Sequence, residues 1–381
     1  MHGMTESTLR VEWHPLGELG PLAAQWRELA ERAIEPNVFY EPAFALAAAP
    51  ALGADAGAGL VWSRAGRLVG LFPARVERRY GVAPPILIGW THPYAPLGAP
   101  LVDGAMCEAV VKAWLDHIVQ DPQLPKLVLL PYFPVDGPLA AAFDSAVERR
   151  TGMSALFGRH ARALLAPRIA REDYLARAIE GKKRKELRRQ RRRLGELGGL
   201  TFMDARTPAA VAIALDEFFA IEARGWKGRA GTAARCDGGI AEFMQGAVTA
   251  LAAEGKAQVL RLCMDARPIA AIIVLRSGSS AWCWKIAYDE VHARFSPGVQ
   301  LLLETTDTLL RDGGVTRADS CATPDHPMID HVWRERLVLA DRLISPGPGR
   351  RLGFGLTCGL VGLRRRVIGA AKAVKELVRR R

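Results

Sequence analysis

Asp289 and Glu290 stand at the end of an apolar run, Ala281–Tyr288, shortly before a Ser296-Pro297-Gly298 loop that opens onto the helical pattern VQLLLETTDTLLRDGG. A strand that runs into a tight loop and then a helix aims free backbone N–H groups and a positive helix end at one point, where an anion such as a phosphate can bind. A carboxylate beside that point can take a proton from an amine if burial raises its pKa. As exposed turn residues, Asp289 and Glu290 would do neither. Tyr288 offers a phenol as a proton source, against a plain packing role at a strand end. Glu222, on the helix before Trp226, is a second candidate base.

Asp319-Ser320-Cys321 followed by His326 invites a Cys–His nucleophile reading, with His326 as a positioning group for an acceptor the alternative. His326 and His331 flank Pro327 at a spacing that suits no usual metal site, so no metal is expected. Trp226, Trp282, Trp284 and Trp333 are not interleaved with the basic runs, which favours a pocket wall or core packing over stacking on nucleic acid.

The elements that must position these residues read as strand, turn, strand, turn, strand, loop, helix from Ala257 to Asp312. AQVLRLCM, PIAAIIVLR and AWCWKIAY are branched or aromatic runs bounded by Asp, Gly and Ser clusters. Leu301, Leu302, Thr305 and Leu309 then recur at helical spacing up to a Gly-Gly stop. The first half repeats this order: the hairpin GLVWSRAGRLVGLFPARVE, a Pro/Gly loop over 94–103, the helical CEAVVKAWLDHIV and the strand LPKLVLLPY. The pattern predicts two α/β domains of one fold in tandem, each a central mixed sheet flanked by helices. The expected division is 1–168, a basic linking helix over 169–199, 200–345, and a basic helical tail over 346–381.

A chain of 381 residues suits two such domains, and with 49% apolar residues it is globular. No apolar run approaches the roughly 20 residues of a membrane span, and the N-terminus lacks a secretory pattern, so a cytoplasmic protein is expected. Six cysteines without a C-x-x-C pair read as reduced core residues. The net charge of +12 is concentrated in two places. Lys182–Arg193 holds nine basic residues and one Glu, and Arg350–Arg381 ten and one, which leaves the rest mildly acidic. The first run is either a solvated helix face or a binder of phosphates, nucleic acid or an acidic surface. The tail alternates apolar and basic stretches and is either a soluble helix or a peripheral membrane contact at the inner face of the membrane.

The chain resembles the GNAT-type acetyltransferase-domain proteins of the CelD-like group, associated with cellulose and exopolysaccharide synthesis. The resemblance is strongest at GWKGRAGT (Gly225–Thr232), WKIAYDE with the following SPG (Trp284–Gly298), and DSCA with HPMI and WRER (Asp319–Arg336). The group is similar to the FemXAB peptidyltransferases, which also carry two GNAT-like domains. The resemblance implies a transferase that moves an acyl group from acetyl-CoA or another acyl-CoA to the amine, less often the hydroxyl, of a small molecule, sugar or cell-envelope precursor. The candidate site residues are then Arg294, Ser296, Gly298 and Val299 for the donor, Asp289, Tyr288, Glu222 and His326 for the chemistry, and Trp226, Lys227, Trp284, Lys285, Asp319 and Cys321 for the acceptor side. The loop departs from the glycine-rich GNAT pattern, because Pro297 at its crest has no N–H to give. Two alternatives stand: a FemXAB-like transfer from aminoacyl-tRNA with Lys182–Arg193 on RNA phosphates, and a non-enzymatic accessory protein of a membrane-bound polysaccharide synthase.

Overall fold

The computed structural model of the chain describes residues 9–78, 83–167 and 169–380, the side chains of 171, 172 and 368–380 excepted. In chain order the strands are β1 (Arg10–Pro15), β2 (Gly57–Trp62), β3 (Leu68–Glu77), β4 (Ile86–Gly89), β5 (Leu101–Val102), β6 (Val128–Pro134), β7 (Met153–Leu165), β8 (Leu200–Ala205), β9 (Ala257–Met264), β10 (Arg267–Ser277), β11 (Ser280–Tyr288), β12 (Arg317–Asp319) and β13 (Glu335–Ser345). The helices are α1 (Ala23–Arg32), α2 (Pro42–Leu52), α3 (Cys107–Gln120), α4 (Pro138–Glu148), α5 (Arg171–Ala178), α6 (Gly181–Gly195), α7 (Pro208–Arg224), α8 (Trp226–Arg229), α9 (Gly238–Ala253), α10 (Pro297–Arg311) and α11 (Arg351–Arg380).

Two compact units result, and neither is a single stretch of chain. The first comprises Met1–Asn37, Asp55–His160 and Val338–Arg381; the second comprises Val38–Ala54 and Ala161–Leu337. In the first unit the strands lie in the order β1-β2-β3-β4-β6-β13, with β5 on β3. β4 and β6 are parallel with α3 as their crossover, and β13 closes the row antiparallel to β6. Ile86, Ile88, Leu127, Leu129 and Leu343 form one of its apolar clusters, against which Phe354 and Cys358 of α11 pack.

The second unit repeats that connection. Its order is β8-β9-β10-β11-β12, and the last part of β7 closes the row antiparallel to β12. β11 and β12 are parallel, with α10 as crossover. The internal repeat read from the sequence is thus a repeat of topology, and both units are mixed sheets flanked by helices. The consecutive boundaries expected from the sequence differ from this division because each sheet takes its last strand from the other half of the chain. Residues 38–54 join the second unit because α2 packs on α9.

Turn chemistry sets the registers. Asp265 and Ala266 both have positive φ (47° and 64°), the two-residue turn whose twist suits a hairpin, and Asp265 accepts the Gly199 N–H at 2.7 Å to fix the start of β8. The expected basic linking helix over 169–199 is two helices, α5 and α6, separated by extended Ile179 and Glu180. They do not link two domains, because Tyr174, Ile179, Leu187 and Leu194 are buried in the core of the second unit. β7 carries Arg159, His160 and Arg162 and had no sequence signal of a strand. The tail is helical, and among the described residues no helix is long and apolar enough to cross a membrane. The side chains of its last basic clusters, 368–381, lie outside the described residues.

Candidate active site

The parallel ladder between β11 and β12 holds only three pairs, Ser280 with Arg317, Ala281 with Ala318 and Trp282 with Asp319. Beyond them β11 continues on β10 to Tyr288, while the other chain leaves its strand through Cys321 at φ 52°. The two strands part there, at their carboxyl ends, where open α/β sheets place ligands.

β11 is also bulged. Ile273 pairs with Lys285 and Val274 with Cys283, so Trp284 is an extra residue, and bulges of this kind bend a strand and re-aim its side chains. Trp284 packs edge-on against Phe44 and Phe243, at 5.5 and 6.1 Å between ring centres, and is a core residue rather than an exposed wall. Lys285 is drawn into the interior near Lys227 and Glu222. Burial, and then the charge of Lys227, push its amine down to about 8. Glu222 opposes that shift.

Glu222 itself is 7% exposed. One oxygen receives Lys227 Nζ at 2.7 Å and the other the Ala234 N–H at 2.8 Å, so it anchors the segment that follows α7. α7 begins under a Thr207 cap with Pro208 in its first turn, and stops at Gly225. The turn α8 requires glycine at 228, since a Cβ there would lie 1.8 Å from the Ala223 carbonyl oxygen. Glu290 clamps the same turn from below: Oε1 accepts the Trp226 N–H at 2.7 Å and Oε2 receives Arg229 at 2.6 Å. The Arg229 guanidinium and then the Trp226 N–H hold the Glu290 carboxyl below its usual range. Trp226 remains 57% exposed over a small cavity of about 40 Å³ that reaches Glu222, Lys227 and Tyr288.

Asp289 is a capping residue. Its Oδ1 accepts the Val291 N–H at 3.0 Å and starts a short 3₁₀ helix over Glu290–Phe295. That helix ends at Ser296, which is left-handed (φ 53°, ψ 51°) and opens α10 with no side-chain cap. The first bond within α10 runs from the Gln300 N–H to Ser296 at 3.0 Å. Pro297 has no N–H, so the Gly298 and Val299 N–H groups are the donors left at the helix start. A Cβ on Gly298 would meet the Tyr288 ring at 3.2 Å and the Met328 sulfur at 3.3 Å, so close packing against Tyr288 calls for glycine there. Arg294 is exposed, with its guanidinium over the Phe295 ring at 4.6 Å.

The basic helix stands against this loop. Gln300 Nε2 donates to the Leu187 carbonyl at 2.8 Å, and Arg191 pairs with Glu304. Leu187 and Leu194 face the core. Lys182, Lys185, Arg188 and Arg193 are exposed and make no ion pair among the described residues.

The remaining residues are dispersed or tied. Asp319 forms a buried ion pair with Arg162, a partner the sequence did not reveal, and accepts the Cys321 N–H at 3.0 Å. Burial and then Asp319 push the Cys321 thiol well up, which disfavours the thiolate a nucleophile needs. His326 accepts the Met328 N–H at 3.3 Å on its Nδ1, burial lowers its pKa, and no hydrogen bond joins it to Cys321 among the described residues. Trp282 and Trp333 are core residues, Trp282 against Phe39 and Trp333 donating to Thr306 at 2.9 Å. Among the described residues no group of three or more His, Cys, Asp or Glu is placed to hold a metal ion.

Residues 181–326, from α6 to His326, match the family described as "Acetyltransferase (GNAT) domain". No curated protein matches the sequence. Solved structures of similar fold include FemX, at 10% identity over 85% of this chain and 95% of that one with a TM-score of 0.57. Another is the C-terminal domain of a putative lysylphosphatidylglycerol synthetase from Agrobacterium fabrum, at 13% identity over 89% and 95% with a TM-score of 0.53. A third is a conserved protein of unknown function from Bacteroides thetaiotaomicron, at 10% identity over 88% and 99% with a TM-score of 0.51. Residues 181–326 are thus similar to a GNAT acetyltransferase domain, and the two units share the mixed α/β fold of solved structures of the GNAT type.

Proposed function

We propose that the chain is an acyltransferase that moves an acyl group from acyl-CoA to an amine, with the second unit as its catalytic unit. The observation that carries this reading is the open end of β11 beyond its last pair with β12 at Trp282 and Asp319, where Tyr288 packs against Gly298 at the uncapped start of α10. The Gly298 and Val299 N–H groups and Arg294 would hold the pyrophosphate, and the thioester would enter where the strands part. The acceptor nitrogen attacks the thioester carbon, the N–C bond forms and the C–S bond breaks. Lys285, neutral in part near pH 8, takes the proton lost by nitrogen, and the Tyr288 phenol or the Lys285 ammonium returns one to the thiolate. Glu222 and Lys227 set the charge around that amine, and Trp226 covers the acceptor side. The acceptor is a small molecule, sugar or cell-envelope precursor in the cytoplasm, and the CelD-like resemblance favours a precursor of polysaccharide synthesis. Thiol release and thermal stabilisation with a panel of acyl-CoAs test the reading; no response to any of them would defeat it.

A second reading rests on the exposed cations of α6 beside the same loop: the donor is aminoacyl-tRNA, and α6 contacts its phosphates. Such binding falls steeply with salt. Gel shifts with tRNA across a salt series decide it, and absent or salt-insensitive binding removes it.

A further inference from the structure

The C-terminal helix α11 has two unlike faces. Thr357, Val361 and, partly, Phe354, Cys358 and Arg365 turn inward, where Phe354 and Cys358 pack on the Ile86, Leu129 and Leu343 cluster and Arg365 pairs with Asp341. The opposite face carries Leu352, Leu356, Leu363 and Val367, exposed by 92, 45, 59 and 60%. With exposed Gly359 between them, these positions recur at the three- and four-residue spacing that puts side chains in one line along a helix. A continuous apolar line of this length in water marks an interaction surface.

The charge around the line selects its partner. Arg350, Arg351, Arg364 and Arg366 are exposed beside it, and no Asp or Glu occurs between Arg350 and Val367. A second copy of the helix laid on this face would bring cations against cations. An anionic bilayer surface would neutralise them and accept the leucines below its headgroups. At the start of the helix a cavity of about 310 Å³ is lined by Lys126, Leu127, Arg350, Arg351, Leu352 and Phe354. Arginines and apolar side chains together at a helix N-terminus suit a lipid phosphate with its acyl chain directed along the helix.

We infer that the Leu352–Val367 face of α11 binds anionic phospholipid, with the cavity beside Arg350 and Arg351 taking a headgroup phosphate. The test is sedimentation of the full chain with phosphatidylcholine vesicles, with and without phosphatidylglycerol. The wild type is expected to sediment with the anionic vesicles and to be released by salt. Leu356→Glu with Leu363→Glu removes the apolar line, and Arg364→Glu with Arg366→Glu reverses its charge. Because these side chains are exposed, each pair should keep the wild-type melting temperature while binding drops by about tenfold or more. Wild type that stays in the supernatant would overturn the inference, as would variants that sediment like wild type. Sedimentation velocity gives the remaining outcome: if wild type is a dimer that the Leu356→Glu, Leu363→Glu pair makes monomeric, with no lipid dependence, the face belongs to a second copy.

Discussion

Glu222 and Lys227 form a 2.7 Å ion pair from an almost fully buried carboxylate, and Lys285 is the third charge of that cluster. Lys227 pushes the Lys285 amine down and Glu222 pushes it up. Lys227→Met should therefore raise the Lys285 midpoint above about 8, and Glu222→Gln should lower it. ¹³C NMR titration of reductively methylated protein measures this without any substrate, with the Lys285 signal assigned by its loss in Lys285→Met. A common midpoint in all three proteins would break the assignment of these three charges to one site.

The same shift makes stability depend on pH. Lys285 titrates near 8 when folded and near the ordinary lysine value, about 10.4, when unfolded. Between those values the unfolded chain binds more protons, so stability rises with pH across that window, and the contribution is lost as pH falls through it. Denaturant midpoints at pH 7.5, 9 and 10 should rise more in wild type than in Lys285→Met. Parallel curves would show that the amine is not depressed.

Glu290 ties Trp226 and Arg229 to the end of β11. Its carboxyl is held low by those partners, so the clamp should persist through the ordinary carboxylate range and open only below it. The sign follows from the lowered pKa: the contact is present above the unfolded value and lost as pH falls through the folded one. The fluorescence difference between wild type and Trp226→Phe should change only in that acid range, and Glu290→Gln should give the opened signal at neutral pH. A wild-type transition at the usual glutamate value would refute the clamp.

Much of the second unit was legible because its signals are local. Alternation marked β9, β10 and β11, Asp265-Ala266 and Gly278 marked their turns, and a regular apolar spacing marked α10. What escaped depends on partners distant in sequence. β7 is a strand through such partners, with β12 pairing only its last residues, and its own charged residues give no alternation. The helix expected over 169–199 breaks where Ile179 turns into the core. Lys285 was named only among acceptor-side residues, because its lowered pKa comes from burial, from Lys227 and from a bulge at Trp284 that no spacing announces. Asp289 was legible as a residue beside the loop, but its bond to Val291 is a property of the turn that follows.

Gly298 touches the Tyr288 ring through the space a side chain would occupy. Gly298→Ala asks Tyr288 and Met328 to yield by a few tenths of an ångström, and both are side chains that can move. Gly298→Val asks for more, and its branched side chain would also crowd the N–H groups of the first turn. Alanine should keep acyl-CoA binding within a fewfold of wild type, whereas valine should weaken it severely with a smaller change in melting temperature. Calorimetric titration with acyl-CoA checks both. Equal affinity in all three proteins would remove the loop from the donor site.

The proton acceptor is decided by comparing Lys285→Met with Asp289→Asn. Asparagine caps a helix start about as well as aspartate, so Asp289→Asn keeps the bond to the Val291 N–H and removes only the charge. If Asp289 is a cap, the variant should turn over at close to the wild-type rate. If it is the base, the loss should be about 10²- to 10⁴-fold, the usual contribution of such a group. Lys285→Met should show that loss, and Lys285→Arg should not restore activity, because a guanidinium stays charged through the working range. The wild-type rate should rise with pH to a plateau above about 8, and the two Lys285 variants should lack that rise. Steady-state rates from pH 6.5 to 9.5 with one donor and one acceptor supply the comparison. A large loss in Asp289→Asn alongside an unchanged pH profile in Lys285→Met would transfer the role to Asp289.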